Sequence, residues 1–214
     1  MAKYSRATFG NISGTVNNAV GSNWRGVHFL RNIAKKRSVG PSTGQLTVQA
    51  KFVLAASKLG RLKTVLNLGF SDKKLNKITG YNAAVAVFIN QAIIGEYPDL
   101  EVDYTKMLIS RGSLNQLKQI TLTLTDNVLA ITWSDFIDPM LGNADDEVLV
   151  LLYNRTADEY MTNMDAKRYD GVLELELAEK PGDSIECWLF CVSKDRKQIS
   201  TSQYVGQVTL TQPS

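Results

Sequence analysis

Cysteine and histidine are both scarce in this sequence. Cys187 and Cys191 are the only cysteines and His28 the only histidine in 214 residues. The two cysteines fall on one predicted strand, where four residues span about 13 Å, and a disulfide needs Cα atoms within roughly 7 Å. We therefore expect two small core side chains rather than a disulfide or a metal site.

Long hydrophobic runs are also missing. No apolar stretch approaches the roughly 18 to 20 residues that cross a bilayer, so we expect no membrane partner. The N-terminus has a basic flank but no apolar segment like that of a signal peptide. The sequence therefore predicts synthesis in the cytoplasm without general secretory export, with a virion or released particle as a further location.

Negative charge is missing from the first third of the chain. Residues 1–71 contain 11 Lys and Arg and no Asp or Glu, whereas residues 72–214 contain 13 against 21. Such asymmetry is typical of proteins that bind nucleic acid or membranes. It equally suits association in which the basic end of one copy meets the acidic body of the next. A solvated basic surface is the third interpretation.

Residue patterns typical of catalysis are missing as well. His28 is the only side chain with an ordinary pKa near neutrality, and the glycines before it are not followed by a phosphate-binding GK[ST] step. Glu174 and Glu176 are alternate residues of a predicted strand and so share a solvent face, which is unlike a glycosidase pair. We expect no enzyme, no cofactor and no metal.

Residues 1–40 are predicted to form a basic, glycine-rich arm. Thr15–Val20 and Asn23–Ile33 have β-compatible residues, and Gly21-Ser22 between them suits a two-residue turn. Because an isolated hairpin is at best marginally stable, the arm must pack on its own body or on a neighbouring subunit. Alternation in the second run places Trp24, Gly26, His28 and Leu30 on one face and Arg25, Val27, Phe29 and Arg31 on the other.

Residues 41–112 are predicted to contain a helical hairpin and a linking strand. Ser42 and Gln45 have the spacing of a capping box, so a helix should begin at Ser42 or Thr43. Its apolar stripes are broad, and we expect it to be packed on more than one side. A second helix is predicted over Tyr81–Ile94, closed by Gly95.

Residues 113–214 are predicted to form an immunoglobulin-like or fibronectin-III-like β-sandwich, which makes the fold class α+β. Seven short strands recur with turn signals at sandwich-like spacing. Trp133 should fill the sandwich core, with Tyr153 and Leu189 as neighbours. The predicted strands are Gln119–Thr125, Val128–Ser134, Glu147–Tyr153, Glu159–Asn163, Gly171–Leu177, Ser184–Val192 and Ser202–Leu210.

An acidic loop lies inside this region. Its carboxylates could be interpreted as a calcium site, since calcium takes clustered oxygen ligands. Their spacing fits no EF-hand loop, and solvated turn carboxylates are the alternative that we favour. The residues are Asp135, Asp138, Asp145 and Asp146.

Several motifs together resemble a known family. The chain contains GTVNNAVGSNWRGVHFLRN, PSTGQLTVQAKF, GYNAAVAVFINQAIIGEYPDLEVDYTKMLISRGSL, NADDEVLVLLYN and YVGQVTL. It resembles, over essentially its whole length, an uncharacterised family of Bacteroidetes proteins known only as a domain of unknown function. That resemblance implies no activity.

A looser similarity concerns about forty residues at the start. The hairpin with Trp24-Arg25-Gly26, the following proline and the Gln-bearing helix start are similar to small proteins of phage and prophage structural regions. Here Lys51 stands where arginine is commoner in those proteins. The similarity implies a virion or prophage-type particle component, with other virion proteins as further partners.

The arm, the charge asymmetry and the sandwich together favour a self-assembling structural protein, a homo-oligomer whose arm engages a neighbouring subunit. Such an arm adds strands to an exposed sheet edge, with side chains filling pockets. Trp24 packed on its own helices is the alternative in which nothing is exchanged. The predicted interface residues are Trp24, Arg25, Val27, Phe29, Leu30 and Arg31.

Nucleic-acid binding is the rival function. Basic side chains interleaved with aromatic ones neutralise phosphates and stack on bases. The acidic C-terminal half would repel a polyanion, which weighs against it. The residues for this function are Arg6, Arg25, Arg31, Lys35, Lys36, Arg37 and Lys51.

Overall fold

The structure is a computed structural model in which the chain forms two compact units, residues 1–42 and residues 43–214. The smaller unit is a four-stranded antiparallel sheet, and the larger combines helices with a β-sandwich. The described residues are 2–5, 10, 12–24, 26–35, 38–71, 78–125, 127–135, 142–178 and 180–210.

Three α-helices are described at the start of the larger unit. A long helix, α1, begins at Thr43, as the capping-box spacing predicted, and a 3-10 turn at Gly60–Leu62 follows it. The Thr79 side chain accepts a hydrogen bond from the Asn82 backbone at the start of α3, which is how threonine caps a helix. None of the described helices has the length and hydropathy of a membrane span. The helices are α1 (Thr43–Leu59), α2 (Lys63–Gly69) and α3 (Gly80–Gln91).

A small hairpin follows α3 where the sequence predicted more helix. Strands β5 (Ile93–Glu96) and β6 (Asp99–Val102) pair antiparallel. Gly95, predicted to close the helix, instead lies within β5 with φ 82°. The prediction was wrong because Ile93 and Ile94 continue the apolar pattern of α3, although β-branched residues also suit a strand.

Seven strands form the sandwich, as predicted. The observed bounds differ from the predicted ones by a few residues at most, except that β10 extends four residues further. The strands are β7 (Thr121–Thr125), β8 (Val128–Thr132), β9 (Glu147–Asn154), β10 (Glu159–Lys167), β11 (Val172–Glu176), β12 (Ser184–Val192) and β13 (Gln203–Thr209).

The strand order is that of a fibronectin-III-like sandwich. One sheet has the order β11-β8-β7 and the other β10-β9-β12-β13, with every neighbouring pair antiparallel. The first two strands and the fifth therefore share a sheet, and the third, fourth, sixth and seventh share the other. This arrangement confirms the predicted α+β fold class with its β-sandwich.

The two sheets enclose one hydrophobic core. Trp133 is 5 % exposed and packs in this core with Leu189, as predicted. Its indole N–H donates to the Arg168 carbonyl oxygen at 2.8 Å, which satisfies the one polar group of the ring. Cys187 and Cys191 are fully buried in the same core, which confirms them as core side chains.

A second core lies on the other face of the β10-β9-β12-β13 sheet, where the helices pack. Leu59, Leu66 and Phe88 of the helical segment share it with Trp188 and Tyr153. Tyr153 was predicted beside Trp133 and in fact belongs to this second core. Because both faces of β9 and β12 are covered, these strands read as continuous apolar runs without the alternation that distinguishes one face from the other.

The helix α1 is packed on one side only. Ala55 and Leu59 are buried, whereas Val48, Phe52 and Val53 are 67 %, 56 % and 66 % exposed. The prediction that this helix is packed on more than one side was wrong for the described residues. The helix carries more apolar side chains than its neighbours bury. The local sequence shows which side chains are apolar but not which of them other elements contact.

Candidate interaction surface

The N-terminal unit is a sheet of four short strands, β1 (Ala2–Tyr4), β2 (Gly14–Val16), β3 (Ala19–Trp24) and β4 (Val27–Asn32), in the order β1-β4-β3-β2. The chain reverses at Asn17, with φ 52°, and at Gly26, with φ 80°. Both residue types tolerate positive φ.

The predicted turn at Gly21-Ser22 was wrong. Both residues lie inside β3, where Gly21 pairs with Leu30 and Ser22 with Phe29. A Cβ at Gly21 would meet Ile12 at 2.7 Å, so close backbone approach, rather than turn geometry, requires this glycine.

One face of the sheet combines aromatic and basic side chains. Trp24 pairs with Val27, and Phe29 pairs with both Ser22 and Lys3, so these side chains share a face with Arg31. The predicted grouping of Trp24 with His28 and Leu30 was wrong because it treated Asn23–Ile33 as one strand, whereas a turn separates Trp24 in β3 from Val27 in β4 and pairs these two residues across the strands. We call Lys3, Val20, Trp24, Val27, Phe29 and Arg31 the aromatic-basic face.

The described side chains of the aromatic-basic face are exposed or only partly buried. Trp24 is 52 % exposed, Val27 and Phe29 are half-buried, and Arg31 is exposed. Among the described residues of unit 1–42, Gly21 is the only buried one. Large apolar and aromatic side chains that stay exposed on one face of a small sheet are typical of surfaces that contact another protein.

The opposite face carries Tyr4, His28 and Leu30. The Tyr4 and His28 rings lie 5.4 Å apart, and the Tyr4 hydroxyl oxygen accepts from the Ile12 backbone at 3.2 Å. His28 Nδ1 is buried and has no hydrogen-bond partner within the described residues. The predicted interface residue Leu30 therefore lies on a different face from Trp24, Val27, Phe29 and Arg31, which the sheet brings together.

The basic residues proposed for nucleic acid are only partly described. Arg31 and Lys35 are exposed in the first unit, and Lys51 is half-buried in α1 of the second. The remaining residues of that set lie outside the described residues, and Arg25 is also one of the predicted interface residues. They are Arg6, Arg25, Lys36 and Arg37.

A charged cluster in the second unit escaped the sequence analysis. The Lys58 ammonium lies 2.6 Å from the Tyr153 hydroxyl oxygen and 2.9 Å from Asp158 Oδ1. The Tyr153 hydroxyl donates to the same carboxylate oxygen at 2.7 Å. Lys58 and Asp158 are 100 residues apart, so no local spacing in the sequence indicates this contact.

The protonation states in this cluster are fixed. Burial works against the charge of Lys58, but the hydrogen bonds to Tyr153 and Asp158 outweigh it and raise the pKa of the ammonium. Burial raises the pKa of the Tyr153 hydroxyl. A lysine that stays charged and a tyrosine that stays neutral supply neither a nucleophile nor a base near pH 7.

Aromatic rings extend this cluster across the sheet. Tyr153 stacks on Tyr160 at 4.5 Å between ring centroids, and Tyr104 lies 6.2 Å from Trp188. The Arg155 guanidinium lies over the Tyr104 ring at 5.1 Å. These are packing and cation–π contacts, which stabilise the helix face of the sheet.

The acidic loop contacts basic side chains where it is described. Asp146 is fully buried and its Oδ2 lies 3.4 Å from Arg168 Nε, while Asp145 lies 3.2 Å from the Lys194 ammonium. No group of three or more potential metal ligands occurs among the described residues. Asp138 lies outside the described residues.

This chain is similar in sequence to one protein family and in fold to several solved structures. A sequence profile described as "Family of unknown function (DUF6266)" matches residues 11–206. No curated protein matches the sequence.

Solved structures with similarity to this chain are β-sandwich domains. The chicken CNTN1 FN1–FN3 domains match at 6 % identity and TM-score 0.36, over 47 % of this chain and 33 % of that one. A computationally redesigned β-sandwich protein matches at 18 % and 0.36, over 47 % and 94 %. The fn3 domain of human collagen alpha-1(XX) chain matches at 12 % and 0.34, over 48 % and 90 %.

Proposed function

We propose, from the premise that this chain belongs to the DUF6266 family of unknown function, that it is a non-enzymatic protein that associates with further copies of itself. The N-terminal sheet is the element that engages a neighbouring subunit. Its role in a virion or prophage-type particle stays a prediction from the phage resemblance.

The observation that carries this proposal is the exposure of the aromatic-basic face. Trp24 is half exposed and shares its face with Phe29 and Arg31, and tryptophan and arginine are the residues that most often dominate protein interfaces. The described apolar side chains of residues 2–42 are all at least partly exposed. A second subunit that covers this face would bury apolar and aromatic surface that is exposed in the single chain.

The non-enzymatic part of the proposal is supported by the state of the reactive side chains. Lys58 and Tyr153 are held in their protonated forms. Burial raises the pKa of Cys187 to about 12 and that of Cys191 to about 11, so neither thiol is a ready nucleophile.

The test is the mass of the full chain in solution as its concentration rises. Sedimentation equilibrium should give multiples of the 23.7 kDa chain mass. Trp24→Ala should raise the dissociation constant at least about tenfold. The matched control is Tyr97→Ala, since Tyr97 is an aromatic residue 41 % exposed between β5 and β6, and it should leave association unchanged.

Two results would contradict the proposal. One is a strictly single-copy chain at high concentration. The other is association of normal strength in Trp24→Ala, which would place the contact elsewhere.

The second candidate function is nucleic-acid binding, and the same face favours it. Trp24 and Phe29 offer rings for base stacking, and Lys3 and Arg31 lie on the same face to neutralise phosphates. Fluorescence anisotropy of a labelled single-stranded oligonucleotide at about 50 and 200 mM salt tests it. Tight binding that falls steeply with salt and with Trp24→Ala, by a chain that stays single-copy, would replace self-association with this function.

A further inference from the structure

The structure assigns a receptor for the N-terminal sheet, an inference that rests on the proposed self-association. We infer that an edge strand of this sheet in one copy pairs with the outer edge of β11 in a second copy, an edge that no described strand of its own chain occupies. The β11-β8-β7 sheet of one sandwich would then continue into the N-terminal sheet of its neighbour, through main-chain hydrogen bonds.

The hydrogen-bond pattern identifies which groups of β11 are free to pair. The Trp133 amide donates to the Gly171 carbonyl, and the Leu177 amide donates to the Asn127 carbonyl, both at 2.9 Å. Both pairs follow the register of β11 with β8. Because hydrogen-bonded pairs alternate in an antiparallel ladder, the main-chain groups of Val172, Glu174 and Glu176 point away from β8, toward the open edge.

The other edges of the sandwich are less suited to strand addition. β10 has a register shift between Asn163 and Ala166, and β13 has one opposite Cys187 and Trp188; such bulges protect edges from further pairing. β7 lies close to β13, since a Cβ at Gly206 would meet the Leu122 side chain at 3.5 Å.

β11 has none of these protections. Its five residues pair with β8 in unbroken register, and no proline or lysine interrupts them. The edge of β11 is therefore regular, and its two glutamates, which would repel an acidic strand, favour a basic one.

Charge indicates that the incoming strand belongs to a second copy of this chain. Glu174 and Glu176 are exposed on β11. The first 71 residues contain no acid at all, and the N-terminal sheet presents Lys3 on its edge strand β1. An acidic edge and an acid-free basic sheet are complementary across an interface.

A cavity beside this edge adds a place for a side chain. It has a volume of about 170 Å³ and lies between the β9–β10 end of the four-stranded sheet and Leu177, directly after β11. Its lining is mixed, with four apolar residues (Leu152, Met161, Leu177 and Ile185) beside Asn154, Glu159 and Tyr160. Small-molecule sites are typically about 300–1,000 Å³, so this cavity is of a size for one apolar side chain of an added strand.

The experiment compares Glu174→Pro with Glu174→Gln in the full chain. Proline removes the main-chain donor that faces the open edge, and edge strands tolerate it there. Glutamine removes the charge and keeps the donor. We expect Glu174→Pro to raise the dissociation constant at least about tenfold with an unchanged unfolding midpoint, and Glu174→Gln to raise it only about two- to threefold.

A charge exchange covers the case in which the proline variant fails to fold. Glu174→Lys/Glu176→Lys should lose association, and so should Lys3→Glu/Arg31→Glu. An equimolar mixture of these two variants should associate again, because each supplies the charge that the other now lacks. That recovery would identify a second copy as the partner.

The outcomes separate this inference from the proposed function. If the wild type stays single-copy, both fail. If association depends on Trp24 but persists in Glu174→Pro and in Glu174→Lys/Glu176→Lys, only the inference about β11 fails. If association depends on Glu174 but not on Trp24, two β11 edges pair with each other and the inference is likewise overturned.

Discussion

The Lys58 ammonium nitrogen lies 2.6 Å from the Tyr153 hydroxyl oxygen, a contact that joins α1 to β9. Asp158 accepts from both side chains, and the Tyr160 hydroxyl donates to the Lys58 carbonyl oxygen at 3.0 Å. The Lys58 side chain thus connects helix α1 to the β10-β9-β12-β13 sheet and to the turn between β9 and β10. Four predictions concern this cluster, the two buried thiols and two glycines.

The first prediction concerns Lys58 itself. Lys58→Met should lower the free energy of unfolding by about 1–2 kcal/mol, because the half-buried, charge-assisted hydrogen bonds from Lys58 to Tyr153 and Asp158 are lost. We place the effect below the upper range for charged hydrogen bonds since Asp158 is 50 % exposed. Urea unfolding measures it.

The control for Lys58 is Lys194→Met. The Lys194–Asp145 pair has similar N–O distance, 3.2 Å, but its side chains are 78 % and 48 % exposed. Its removal should change the free energy of unfolding by less than about 0.5 kcal/mol. Equal losses for both variants would mean that burial adds nothing to the Lys58 contact.

The second prediction concerns stability in acid. The hydrogen bond from Lys58, followed by that from Tyr153, lowers the pKa of Asp158 in the folded state. A lowered pKa contributes stability above the unfolded value, about 3.9, and that stability is lost as pH falls through the folded value. Asp158→Asn should therefore show a shallower loss of unfolding free energy between pH 5 and pH 2, roughly, than the wild type.

The opposite sign applies to Lys58 in alkali. Its raised pKa contributes stability that is complete below the unfolded value, about 10.4, and that is lost only as pH rises through the higher folded value. For the acid prediction, the contradicting result is a free energy of unfolding that falls with the same slope in acid for the wild type and for Asp158→Asn. The Lys58–Asp158 ion pair would then not stabilise the fold.

The third prediction concerns the two thiols. Cys187 and Cys191 are buried, and burial raises the pKa of each above the usual value. A thiol-specific disulfide reagent should label neither in native buffer at pH 8, roughly, and both once the chain is unfolded in guanidinium. Rapid stoichiometric labelling of the native chain would contradict their place in the core between the sheets.

The fourth prediction compares two glycines. A methyl group at Gly112 would overlap the Ile199 carbonyl oxygen, whereas one at Gly60 would meet nothing within 4 Å. Gly112→Ala should lower the free energy of unfolding by about 2–3 kcal/mol through overpacking. Gly60→Ala should raise it by about 0.4–1 kcal/mol, because alanine reduces the freedom of the unfolded chain.

Thermal unfolding monitored by circular dichroism measures both glycine variants. If Gly112→Ala leaves the unfolding temperature unchanged, the segment before β7 does not pack closely on residues 199–200. Leu114 of that segment forms a β-bridge with Ser200. Destabilisation by Gly60→Ala would show that the 3-10 turn between α1 and α2 needs the freedom of glycine.

The sandwich was predictable because its signals are local. Turn residues such as Pro181 and Gly182 bound the apolar run of β12, whose predicted limits, Ser184 and Val192, match the observed strand. These local signals predicted the strands themselves, whereas their order within the two sheets, which includes crossovers, came from the structure.

The arm and the cluster were less predictable. Gly21 sits within β3 because Ile12, nine residues earlier, approaches its backbone, and a turn propensity does not register such an approach. The Lys58–Asp158 contact joins residues far apart in the chain. Neither relationship has a spacing signature in the sequence.

By itself, the sequence determined the seven sandwich strands, the start of α1, the core role of both cysteines and the charge division at residue 72. Only the tertiary structure decided which face Tyr153 occupies, which residues accompany Trp24 and which sheet edge stays open. The physical reason is that strand formation depends on neighbouring residues, whereas faces, registers and edges depend on what distant segments cover.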